Sequence, residues 1–118
     1  MPDPKPRTVL ELDAGAIAAY YEWLKSARHG DVLVYWVGDL QYDRQAYPPK
    51  DDPGYEEAQR RLALLGVVAD RVFDDAKSGE LILTQLRLGP SRWEYRAGRF
   101  ITPEKRNRQG FTRELAAA

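Results

Sequence analysis

Apolar side chains in the first third of the chain recur at helical spacing. Ile17, Tyr20, Tyr21 and Leu24 form the stripe, with Ala14, Ala18 and Ala27 beside it. Asp13 stands before this stripe where an N-cap belongs, its carboxylate suited to the free amides of a first turn. Gly30 stands where a C-cap belongs, because glycine reaches positive φ without a Cβ clash. The pattern predicts a helix over 13–28. Asp31-Val-Leu-Val-Tyr-Trp-Val37 follows with six consecutive apolar residues. That run predicts a strand covered on both faces, in the middle of a small sheet, ended by Gly38.

Between Leu40 and Gly54 the pattern lapses. Prolines, acids and Pro53-Gly54 predict a loop that opens with a helical turn, or else a short helix over Gln41–Ala46. Helical periodicity returns at Tyr55, where Ala58, Leu62, Leu65, Ala69, Val72 and Ala76 follow 4-3-4-3-4 spacing, widened by Val68 and Phe73. Gly66 lies inside the stripe. A glycine there costs about 0.5–1 kcal/mol relative to alanine, so it marks either a close helix contact or a break into two helices. The unbroken stripe across residue 66 favours one helix. Ser78-Gly79 closes it.

Period two takes over at Leu81. Leu81, Leu83, Gln85 and Arg87 alternate with Ile82, Thr84, Leu86 and Leu88, and a second strand spans Trp93–Ile101. Gly89-Pro90-Ser91-Arg92 turns between them. With a short strand at Arg7–Leu12, the order is strand, helix, strand, one or two helices, hairpin. The fold class is α+β: two or three helices on a small antiparallel sheet, in the order of a winged-helix domain whose final hairpin is the wing. Residues 1–12 form an extended lead, 13–101 a single domain and 102–118 a basic, flexible tail.

Composition narrows the class further. The chain has 118 residues, 43% hydrophobic and 31% charged, with no cysteine, so disulfide and thiolate chemistry are absent. No apolar run reaches the roughly 18–20 residues of a membrane helix. The Pro-rich start lacks the apolar region of a secretory signal, and a cytoplasmic location is expected. Net charge is zero but unevenly spread. Six basic and seven acidic side chains in 1–50, four and eight in 51–80, and eight and three in 81–118 give −1, −4 and +5. An acidic middle and a basic end either neutralise each other in the fold or present a binding surface.

Tyr35-Trp-Val-Gly38-Asp-Leu40-Gln-Tyr-Asp43-Arg44, then Leu83-Thr-Gln85-Leu-Arg87 and Tyr95-Arg-Ala97, resemble a group of small uncharacterised proteins of phage and prophage origin. Their pattern is Tyr-x-x-Gly-x-Leu-x-x-Asp-Arg, a helix, Gly-x-x-x-Leu-x-Gln and a closing Tyr-x-Ala strand. The resemblance covers roughly residues 15–100. It implies a small cytosolic phage-like protein of winged-helix type and carries no activity or catalytic role.

Candidate chemistry is limited. His29, the sole histidine, lies at a helix end where the dipole favours a cation, a structural role. No hydrolytic triad, metal-spaced cluster or Gly-rich phosphate loop is present, so neither an enzyme, a cofactor nor a small-molecule substrate is expected. Asp43 and Arg44 are the sharper polar pair: Arg44 set by Asp43 to meet a phosphate or acidic partner, or the two forming an ion pair or cap that fixes the loop after the central strand. Nucleic acid is the leading partner. Arg92 at the hairpin tip, Arg96 and Arg99 beyond it, and Lys105, Arg106 and Arg108 in the tail would contact phosphates, each adding about 0.9 to the salt slope. Trp93 and Tyr95 can stack on bases or serve the core. The acidic 51–80 helix, with only Gln59, Arg60, Arg61 and Arg71 suited to bases, argues against sequence-specific readout. The alternative is a protein–protein module or homodimer using the surplus aromatics Tyr20, Tyr21, Trp23, Trp36, Tyr42 and Tyr47.

Overall fold

The computed structural model describes residues 7–46 and 49–106. Its elements are β1 (Arg7–Val9), α1 (Ala16–Ser26), β2 (Val32–Gly38), α2 (Leu40–Asp43), α3 (Tyr55–Lys77), β3 (Leu81–Gly89) and β4 (Arg92–Arg99). The fold is α+β, built on a four-stranded sheet in the order β1-β2-β4-β3. The sheet is mixed, which corrects the expectation of a purely antiparallel one. β1 runs parallel to β2, while β2·β4 and β3·β4 are antiparallel. Parallel neighbours need a long crossover, and α1 supplies it.

Both long helices pack on one face of this sheet. α3 contributes Leu65, Val68, Ala69 and Val72, the i, i+3, i+4, i+7 set, all at or below 1% exposed. They meet Ala16 and Tyr20 of α1, Leu40 of α2, and Leu33, Tyr35, Leu81 and Ala97 of the sheet. Fully burying each large apolar side chain contributes roughly 1.5–3 kcal/mol, so this cluster is the main source of stability. α3 is a single helix through Gly66. A Cβ at Gly66 would meet nothing within 4 Å, so this glycine marks neither a break nor a close contact. Glu56 and Glu57 in the first turn and Lys77 in the last complement the dipole.

α1 is shorter than its pattern predicts. Asp13 is not its N-cap: the Asp13 carboxylate accepts from Gly15 N at 2.8 Å and its carbonyl from Ala16 N, forming a turn before the helix. Gly15 takes the N-cap position and Ala27, in extended conformation, the C-cap. Gly30 is therefore no C-cap. Its φ of 93° serves the turn from Arg28 to Asp31 that redirects the chain into β2. Tyr21, placed in the buried stripe by spacing, is 41% exposed, because Ala16 and Tyr20 face the sheet instead.

β2 carries an irregularity between Val34 and Trp36, where the register against β4 shifts past Tyr35. A bulge of this kind sets two successive residues toward the same side. Tyr35 joins the core and Trp36 packs against it. The hairpin is as expected, with a two-residue loop Pro90-Ser91 closed by Gly89 and Arg92 and Ser91 at φ 51°. β4 ends at Arg99 rather than Ile101. Residues 103–106 of the expected flexible tail form a helical turn.

Candidate binding surface

Cross-strand registry sorts the sheet into two faces. Leu81, Leu83 and Gln85 lie opposite Arg99, Ala97 and Tyr95 and face the helices. Ile82, Thr84 and Leu86 lie opposite Gly98, Arg96 and Glu94, which in turn neighbour Val32, Val34 and Val37. β1 extends these rows with Arg7 and Val9. No described helix packs on this second, outer face. Val9, Val37, Ile82, Leu86 and Leu88 are 37–55% exposed on it or at its rim.

A charged cluster sits in the middle of those apolar positions. Glu94 is 5% exposed and accepts from Arg96 Nε at 2.7 Å, from Arg96 Nη2 at 2.6 Å and from Arg7 Nη2. A buried carboxylate is costly unless paired and hydrogen-bonded, and two guanidinium groups meet that need here. Arg7 reaches across β2, in keeping with the 1% exposure of Val34 between them. Sequence alternation reads Glu94 as an ordinary outward polar residue. Only the arrival of β1 at the sheet edge reveals its burial.

The expected phosphate contacts are scattered. Arg92 is exposed at the hairpin tip. Arg96 is committed to Glu94. Arg99 lies on the helix-facing side, its Nη1 donating to the Glu80 carbonyl at 3.0 Å and the Phe100 carbonyl at 3.4 Å. Its Nε is buried without a hydrogen-bond partner among the described residues, while the residue as a whole is partly exposed and lines a small cavity with Lys105. Lys105 and Arg106 are exposed beyond the far end of β4, beside Ser78-Gly79-Glu80. Eight strand residues, roughly 24 Å, separate them from the tip. Arg108 and Tyr47 lie outside the described residues. The α3 arginines are engaged locally: Arg61 lies over Trp36, Arg71 over Tyr21, and Arg60 beside Glu56.

Asp43 and Arg44 do not pair with each other. Asp43 Oδ2 accepts from Trp36 Nε1 at 2.9 Å and from Asp39 N at 3.0 Å, tying β2 to α2. Asp39 caps α2 by accepting from Tyr42 N. Gly38 makes this corner possible. Its φ is 149°, and a Cβ would fall 2.5 Å from Asp43 Oδ2. Arg44 instead bonds Asp70 at 2.7 Å and lies over Phe73. It lines an open cleft of about 560 Å³ with Gln41, Gln45, Gln85 and Tyr95. Tyr95 is a core residue there, its hydroxyl accepting from Leu40 N at 3.0 Å.

Two further polar groups serve the core. The Tyr20 hydroxyl donates to Asp75 Oδ2 and is raised well above its ordinary range, by burial first and by this bond next. His29 Nδ1 accepts from Ile101 N at 3.0 Å while its ring meets Phe100 edge-on. These contacts tie β4's exit to the α1–β2 turn, and His29 lies beyond the end of α1 at Ser26. Among the described residues no group of three or more His, Cys, Asp or Glu is arranged to hold a metal ion. No described helix is long and apolar enough to cross a membrane. Compared with known proteins, the chain matches no family model, no curated protein and no solved structure.

Proposed function

We propose that this protein is a non-enzymatic interaction module that assembles with a second copy of itself through the exposed side of its sheet. The outer face, on which no described helix packs, carries the reading. Apolar side chains on two opposite flanks of a sheet, with all described helices on the other side, are surface that water penalises and a partner rewards. In the Arg7–Glu94–Arg96 cluster the buried carboxylate is paired, and the net positive charge lies on guanidinium groups that are 51% and 34% exposed, so the centre of that face holds no unpaired buried charge. Sedimentation at high micromolar concentration tests it. The full chain is expected to exceed monomer mass, and I82S/L86S/L88S to remain folded and monomeric. Monomeric wild-type protein overturns the reading.

A second reading, a winged-helix module that contacts nucleic acid, is supported by one specific observation: Arg92 is exposed at the tip of the final hairpin, with exposed Arg87 close by. The order of helix, strand, helices and hairpin and the resemblance to phage-type proteins favour it too. The commitment of Arg96 and Arg99 to internal partners weighs against a continuous basic surface. A gel shift with mixed-sequence duplex at low salt is its test, and the absence of any shift removes it.

A further inference from the structure

The two margins of the sheet differ. β1 is three residues long, and shortness is one way an edge avoids pairing with other chains. β3, whose one neighbour among the described strands is β4, is nine residues long. Between Leu81 and Gly89 it carries no proline and a single charge, Arg87. Ile82, Leu86 and Leu88 project from it 45–55% exposed. A long edge strand of high β-propensity and low charge, with no described strand on its outward side, is a template for another strand.

We propose that β3 pairs antiparallel with β3 of a second copy about a two-fold axis at Gln85, joining two four-stranded sheets into one of eight. The inference rests on the self-association reading and adds a contact at the edge of the sheet, distinct from its outer face. Gln85 is the midpoint of Leu81–Gly89, so this axis pairs the strand along its whole length. Thr84 then stands opposite Leu86 of the second copy, and Ile82 level with its Leu88. The apolar positions of the two outer faces become one continuous strip.

Charge favours the same register. Arg87 stands opposite Leu83 of the second copy, and the two Arg87 residues are four strand positions apart, roughly 13 Å, where screening removes most of their repulsion. Glu80 precedes the strand with its backbone held by Asp75 and Phe100. In this register it comes level with Pro90 of the second copy, close to that copy's Arg92. Opposite charges thus meet at both ends, as a two-fold interface requires each contact to occur twice. Every second residue of β3 offers an outward N–H and C=O, and the pairing satisfies them all.

Charge-swap variants of the full chain test the register, with sedimentation as the readout and circular dichroism confirming the fold. Thr84 and Leu86 are exposed, so replacing them leaves the core intact. T84K/L86K sets lysine opposite lysine twice, and T84E/L86E sets glutamate opposite glutamate. Both are expected to weaken the dimer roughly tenfold or more, because like charges directly opposite are destabilising. T84E/L86K removes the same side chains but sets glutamate opposite lysine, and is expected to retain the dimer. The acidic double variant keeps the test decisive should lysine beside Arg96 disturb the fold. Equal behaviour of like-charged and opposite-charged variants overturns this register and leaves self-association standing. A wild-type chain that stays monomeric overturns both.

Discussion

Glu94 is the residue on which the outer face depends. Its carboxylate is buried beside Val34 and satisfied by Arg7 and Arg96, which are themselves half and one-third exposed. Glu94→Gln keeps the shape but removes the charge and turns an amide donor toward a guanidinium donor. Hydrogen bonds to charged groups contribute about 1.5–3 kcal/mol, so E94Q is expected to lower stability by about that much. The change should appear as a lower urea midpoint with an unchanged slope. Tyr35 gives a pH dependence. Burial above all, then the neighbouring Tyr95 phenol, pushes its hydroxyl from the ordinary value near 10 up to about 12. A raised folded value means that the native state holds the proton more tightly than the unfolded chain. The corresponding stability is complete below about pH 10 and is lost as pH rises toward 12. Tyr35→Phe removes that titration, so its stability should fall less than wild type across this window in alkaline unfolding. The apolar run 32–37 marked Tyr35 as buried. Nothing in the local pattern marked Glu94, because its burial is made by Arg7, 87 positions away.

At the scale of elements, two glycines have opposite consequences. Gly66 sits in α3 with open space where a Cβ would go. Gly66→Ala should therefore stabilise the protein by about 0.5–1 kcal/mol, raising the thermal midpoint, since alanine restricts the unfolded chain and suits a helix better. Gly38 sits at positive φ against Asp43, and Gly38→Ala should cost about 1–3 kcal/mol or more through backbone strain alone. Loss of the Trp36–Asp43 bond would accompany it, read as a shift in tryptophan emission. The stripe of α3 and the alternation of β3 were legible because long periodic segments repeat their signal many times. The limits of α1 were not. Asp13 and Gly30 carry cap chemistry, but local turns claim both, and the helix occupies only the stretch whose Ala16–Tyr20 face meets the sheet. Asp43 and Arg44 diverge for a similar reason: adjacent in sequence, they point to Trp36 and Asp70 respectively, and Asp43 alone fixes the turn after β2.

For the molecule as a whole, sequence proximity proved a poor guide to surface charge. Basic residues crowd the stretch from Arg87 to Arg108, yet the fold distributes the described ones over a hairpin tip, the partly exposed Arg99 clamp on two backbone carbonyls, the Glu94 cluster and the far end of β4. The parallel addition of β1 was equally hidden, because a three-residue strand has no periodicity of its own and its place is decided by the crossover through α1. The charge distribution makes a quantitative claim about nucleic acid. Six phosphate contacts on B-DNA would give a slope of log K against log salt of magnitude about 5, at about 0.9 each. Arg96 and Arg99 already have internal partners, and if they keep them four contacts remain. Duplex binding by this protein should therefore be weak, with a slope no steeper than about 4. Anisotropy titrations over a salt series separate the residues. Arg92→Ala should flatten the slope by about 0.9, whereas Arg96→Ala should lower stability and leave the slope where it was. A slope that flattens equally on removing Arg96 would mean that its guanidinium leaves Glu94 to meet phosphate, and the outer face would then have to open around a buried carboxylate.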